Sequence, residues 1–74
     1  MNRGALSLRR VMKKLDLSQG DVQRAVSVQS GVVTRWVSGK RRPDAFRAAA
    51  LQREYGISVH LWWEDVEPPL QRSA

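Results

Sequence analysis

The residues best placed to do chemistry on a partner lie between Gln29 and Arg42. Val33, Trp36 and Val37 recur there at helical spacing, so a helix turns them inward and leaves Gly31, Thr34, Arg35 and Ser38 outward, with Ser30 at the flank. Hydroxyls, a glycine that permits close approach and one long guanidinium suit the edges of bases in a DNA major groove, which is wide enough to admit a helix. Directly after this face comes Lys40-Arg41-Arg42, a basic loop that Pro43 keeps from being helical. Catalytic chemistry finds no comparable constellation. His60 is the single histidine, there is no cysteine, and no nucleophile–base pair or glycine-rich phosphate loop can be assembled. Glu64, Asp65 and Glu67 cluster beside Pro68-Pro69 and read as solvated. The chain is not expected to be an enzyme or to hold a metal or cofactor.

The elements that must position this face read as short helices separated by brief breaks. The first is expected over about Ala5 to Leu15, with Leu8, Val11, Met12 and Leu15 on one side. Arg9, Arg10, Lys13 and Lys14 fall opposite, either as a solvated face or as phosphate contacts. Ser18 caps the second helix, Gln19 to Val26, with Asp21 completing a capping box and Val22, Ala25 and Val26 buried. Ser27-Val28 is a very short turn. The third helix is expected from Gln29 to Val37, ended by Gly39. Asp44 caps a fourth, Ala45 to Tyr55, with Phe46, Ala49, Ala50 and Leu51 inward and Gly56 ending it. Ser58 caps a last short helix containing Leu61, Trp62 and Trp63. The expected fold is therefore all-α, five short helices around one core. Residues 1–63 form the domain and 64–74 an acidic, proline-containing tail expected to be flexible.

Charge supports a polyanionic partner. The 74 residues carry a net +6, but unevenly. Residues 1–53 hold twelve basic and three acidic side chains, a balance of +9, whereas residues 54–74 hold one and four, a balance of −3. No apolar run approaches a membrane span and no signal-peptide pattern opens the chain, so a cytoplasmic location is expected. A membrane-surface role fits poorly, because the strongest basic cluster is a loop beside the reading face.

Two short helices joined by a tight turn form a helix-turn-helix. The stretch LSQGDVQRAVSVQSGVVTRWVSGKRRPD, Leu17 to Asp44, with a weaker echo in YGISVHLW, Tyr55 to Trp62, resembles the XRE family, the phage and bacterial Cro and CI repressors. That resemblance implies a lambda-repressor-like fold and a repressor that occupies a double-stranded operator as a homodimer. It implies base contacts from Gln29, Ser30, Gly31, Thr34 and Arg35. Phosphate contacts would come from Gln19, Ser38, Lys40, Arg41 and Arg42, with Arg9 and Arg10 as further candidates. Three departures from the family pattern stand out: Gln23 stands where a small alanine is usual, Ser27 where glycine often forms the turn, and the pair Met12 and Val37 where an arginine–glutamate pair is common. The last pair is expected to touch, an apolar contact in place of an ion pair.

Trp36 and Trp62 read as core. Trp63, with Tyr55, is a candidate for a dimer seam or a protein interface. A different class of function follows from the acidic C-terminal third: an antitoxin-type module that grips a protein partner there. A toxin or an anti-repressor is the kind of partner this implies.

Overall fold

The computed structural model describes residues 1–66 and is all-helical, with four α-helices among the described residues. Helix α1 spans Arg3–Lys14, α2 Gln19–Val26, α3 Val32–Val37 and α4 Ala45–Tyr55; a 3-10 helix covers Val59–Trp63 where a fifth helix was expected. The sequence's all-α fold is the one observed.

Helix α1 begins two residues earlier than its periodicity indicated, because Asn2 is its cap. The Asn2 side chain is almost wholly buried and accepts a hydrogen bond from the Ala5 amide at 2.7 Å. This early start buries Gly4 and Ala5 beside Leu8. Leu15, expected in the core, is instead 55% exposed: it is the C-cap residue, just past the end of the apolar face.

Helix α2 has the expected bounds, and its capping box is complete. The Asp21 amide donates to Ser18 Oγ at 3.1 Å and the Ser18 amide donates to Asp21 Oδ2 at 2.9 Å. Val22 and Val26 are buried, but Ala25 is exposed, contrary to expectation. The turn to α3 is longer than two residues. Ser27 adopts the left-handed region at φ 56°, and Gly31 follows at φ 88°. A residue at φ 88° cannot be part of an α-helix, so α3 starts at Val32 rather than Gln29.

Gly39, at φ 77°, closes the chain after α3, and Asp44 caps α4 by accepting from the Arg47 amide at 2.8 Å. Ala48, Ala50 and Leu51 are buried on α4. Phe46, expected to point inward, is exposed: it lies off the face that Ala48 and Leu51 share at i, i+3 spacing. Ser58 holds the capping position of the 3-10 helix without a side-chain bond; its carbonyl accepts from the Leu61 amide at 3.1 Å.

The core is a single cluster that runs from α1 through Trp36 and Leu51 to Trp62. Trp62 lies so close to α1 that a Cβ built on Gly4 would fall 2.3 Å from its ring. Its ring centroid is 6.5 Å from that of Trp36, tilted by 56°. The chain past Trp63, read from the sequence as tail, returns to the N-terminus as far as Val66. The Arg3 amide donates to the Glu64 carbonyl at 2.6 Å and the Val66 amide to the Met1 carbonyl at 2.9 Å, with Asn2 and Asp65 forming an antiparallel bridge. Residues 67–74, which carry the rest of that tail, lie outside the described residues.

Candidate nucleic-acid interface

Two helices and a loop build the candidate surface. Helix α3 buries Val33 and Trp36, half-buries Val37, and leaves Thr34 and Arg35 exposed on its other side. Its position is fixed from three directions. Trp36 roots it in the core, the Arg9 Nε donates to the Val37 carbonyl at 2.7 Å, and the Thr34 hydroxyl donates to the side-chain carbonyl of Gln19. This last bond has a consequence for binding. With its oxygen engaged by Thr34, the amide of Gln19 has its NH2 left to donate outward at the start of α2, where a phosphate can also meet the helix N-terminus.

Met12 and Val37 are both half-buried and packed against the common core. The hydrogen bond between these two helices runs from Arg9, which turns its guanidinium toward the C-terminal end of α3.

Gln29, Ser30 and Gly31 are exposed but precede α3 as a turn, with the Val32 amide donating to the Gln29 carbonyl at 3.2 Å and the Arg35 amide to the Gly31 carbonyl at 3.3 Å. The five residues expected from the sequence to read bases therefore fall in two groups: two on a helix and three on the turn before it. Ser38 is half-buried and donates its hydroxyl to the Arg35 carbonyl at 3.1 Å. The amides of Lys40 and Arg41 donate to the same carbonyl at 3.1 and 3.2 Å, which folds the basic loop back onto the end of α3 and leaves both side chains in solvent. Arg42 does a different job in part, since its Nε donates to the Trp62 carbonyl at 2.7 Å and ties the loop to the 3-10 helix.

Arg10 is placed elsewhere. It lines a groove with Arg3, Leu6, Leu61 and Val66, on a different side of α1 from the Arg9 contact. Tyr55 is half-buried, and burial, with help from the Glu54 and Asp21 charges, pushes its phenol above the ordinary tyrosine value. Trp63 is 54% exposed, whereas Trp62 is fully buried. His60 is a surface residue whose Nδ1 pairs with Glu64, and Glu64 also pairs with Arg3 at 3.2 Å. No group of three potential metal ligands exists among the described residues, and none of their helices is long and apolar enough to cross a membrane.

Against this geometry, a family model described as helix-turn-helix matches residues 8–62, most of the chain. The chain belongs to the XRE-type helix-turn-helix family. No curated protein and no solved structure matches it. The matched span takes in α2, the turn and α3, so the protein is a DNA-binding regulator of the XRE type.

One cation of the helix-turn-helix surface was absent from the sequence reading. Arg47 lines the groove that also contains Gln29, Arg35 and Arg41. Sequence pattern treated the first turn of α4 as core, because Phe46 beside it is a large apolar residue. The signal that could have found Arg47 is its place: it follows the basic loop by one capped helical turn.

Proposed function

We propose that this protein is a sequence-specific repressor that occupies a double-stranded operator with α3 in the major groove. The observation that carries this reading is the two-sided character of α3: Trp36 and Val33 anchor one side while Thr34 and Arg35 stand in solvent on the other, with Thr34 clasped to Gln19. Arg35 is assigned to one guanine, through two hydrogen bonds from its planar fork. Thr34, Ser30, Gly31 and Gln29 read neighbouring base edges. Gln19, Ser38, Lys40, Arg41 and Arg42 hold the backbone, with Arg9 at the end of α3; Arg10, in its separate groove, is left out of this set. One such helix reads only a few base pairs. The active form is therefore a homodimer on DNA, with half-sites roughly 34 Å apart and a seam that draws on Tyr55 and Trp63. Blocking RNA polymerase in the cytoplasm requires nothing beyond that occupancy.

An antitoxin-type protein module is the second reading, favoured by the exposure of Trp63 and Val66 near the acidic end. The pairing of Glu64 and Val66 with Met1 and Arg3 supports the first instead, because this segment already has a partner within the chain.

The test is a binding titration against duplex from the region upstream of the chain's own coding sequence and against scrambled duplex, at two salt concentrations. Wild type should prefer the upstream duplex, and Arg35→Ala should lose about 1–3 kcal/mol of that preference while keeping weak binding to both. Equal and strongly salt-dependent binding of wild type to the two duplexes would remove sequence-specific repression and leave only an electrostatic footprint.

A further inference from the structure

Phe46 stands 70% exposed at the start of α4, a large aromatic ring that the fold does not use to fill its core. The guanidinium carbon of Arg47 lies 5.2 Å from the centroid of that ring. Arg47 is half-buried and lines a groove of about 620 Å³ between the turn before α3 and the first turn of α4. Gln29 and Arg35 line the same groove from the recognition side, and Arg41 and Arg42 from the loop. The start of α4 thus shares one concavity with residues assigned above to base reading.

The electrostatics of this groove are lopsided. Four guanidinium groups face one space, and the carboxylate among its lining residues is Asp44. That carboxylate already serves the helix, accepting from the Arg47 amide. Arg42 is partly drawn away by the Trp62 carbonyl. Arg47 is different, because its guanidinium lies within cation–π reach of the Phe46 ring, an attraction that uses none of its N–H donors on an acceptor oxygen. A guanidinium held beside a ring has also given up part of its rotamer freedom before any ligand arrives, and its planar fork matches two oxygens of a phosphate.

We propose that this groove is a binding site for a DNA backbone phosphate, with Arg47 as the ligating residue and Phe46 as the platform that positions it. The proposal rests on the reading of α3 as the element in the major groove, and it adds a contact from α4 beside it. It also accounts for Phe46, which would otherwise be an exposed aromatic with no role in the fold.

The experiment is an anisotropy titration of the full chain with the upstream duplex and a scrambled duplex across a salt series. The proteins compared are wild type, Arg47→Ala, Arg47→Lys, Phe46→Ala and Phe46→Trp, each checked by urea unfolding. Arg47→Ala should weaken binding to both duplexes about tenfold, leave their ratio unchanged, and make the slope of log K against log salt shallower by about 0.9. Arg47→Lys should keep the wild-type slope and recover only part of the affinity. Phe46→Ala should weaken both duplexes about threefold with the slope and the urea midpoint unchanged, and Phe46→Trp should restore wild-type binding. If wild type binds specifically while Arg47→Ala matches it in affinity and slope, the phosphate site is wrong and the regulator reading survives. If Arg47→Ala erases the preference between duplexes, Arg47 reads bases and the phosphate assignment fails. A wild type that binds neither duplex takes down both readings together.

Discussion

The two ends of this small domain are built on opposite terms. At one end, Gly4 packs on Trp62 without room for a methyl group, Leu8 and Trp36 share the same core, and the Met1–Arg3 and Glu64–Val66 segments pair with each other. At the other, α3 has only six residues, is entered through two left-handed residues, and presents polar side chains to solvent. Trp36 belongs to both, since its ring is in the core while its backbone is in α3. The contrast explains how so short a helix can hold a fixed position. An isolated helix of that length has no stability of its own in water. Its orientation is borrowed from the packed end through Trp36, and through Arg9 and Arg42, which donate to carbonyls at the ends of α3 and of the 3-10 helix.

The sharpest way to break this comparison is Gly4→Ala. Elsewhere in a helix the change would add about 1 kcal/mol of propensity. Here the new methyl would meet the buried Trp62 ring at 2.3 Å, and neither a helix backbone nor a packed indole yields easily. A net loss of about 3 kcal/mol is expected, read as a fall in the urea midpoint. Adding Trp62→Phe should make the double mutant more stable than the two single losses predict, because the smaller ring makes room for the methyl. Arg35→Ala, at the other end, should move stability by less than about 0.5 kcal/mol. A Gly4→Ala protein as stable as wild type would mean that the packed end is not where the domain is held.

The same contrast decides what could be read from sequence. The bounds of α2 and α4 were legible because side chains set them: Ser18 and Asp21 at one start, Asp44 at the other, and Gly56 at a stop. The start of α1 was not, because an asparagine cap on a single turn carries no periodicity to announce it. The start of α3 was misplaced for a related reason. Apolar spacing shows which face is buried but not whether a glycine in the path is helical, and Gly31 is not. Leu15, Ala25 and Phe46 failed together, since periodicity extends a face beyond the point where the neighbouring element stops. Within the candidate site, the exposure of Thr34, Arg35 and the basic loop followed from type and order alone. The Thr34–Gln19 clasp and the place of Arg47 depend on how α2 and α4 cross α3, which no local pattern encodes.

A smaller effect sharpens the account of the reading end. Ser27 sits at φ 56°, ψ 55°, a conformation in which a Cβ is crowded, and glycine often occupies this turn in the family. Ser27→Gly relieves that crowding but adds freedom to the unfolded chain. The balance should favour the mutant by about 0.5–1 kcal/mol, a rise of a few degrees in Tm. Operator affinity should stay within twofold of wild type, because the turn keeps its path. A Ser27→Gly protein that is more stable but binds worse would show that the serine fixes the angle between α2 and α3, and that this end is stiffer than the comparison holds.

The smallest expected effect comes from two exposed carboxylates, one at each end. Asp21 lies below the ordinary aspartate value, first because the Ser18 amide donates to it, then through the Ser18 hydroxyl and Arg24. Glu64 lies below the ordinary glutamate value, first through its hydrogen bond with His60, then through the charges of His60 and Arg3. A carboxyl that is more acidic in the fold than in the unfolded chain stabilises above its unfolded value, and that contribution fades as pH falls through the depressed folded value. Both contributions should therefore be full and independent of pH near neutrality and be lost below about pH 4. Asp21→Asn and Glu64→Gln should each flatten part of that acid limb, measured as urea midpoints from pH 6 down to pH 3. Residue-resolved NMR over the same range separates the ends. Amides in the first turn of α2 should exchange faster as Asp21 protonates, because its carboxylate holds the Ser18 amide at the start of that turn. The Trp62 indole signal should not follow Glu64, because packing against Gly4 and Trp36 holds that end whether or not the ion pair is present. An indole shift that tracks Glu64 would make the surface charges part of what secures the core, and the difference between the two ends would then be one of degree.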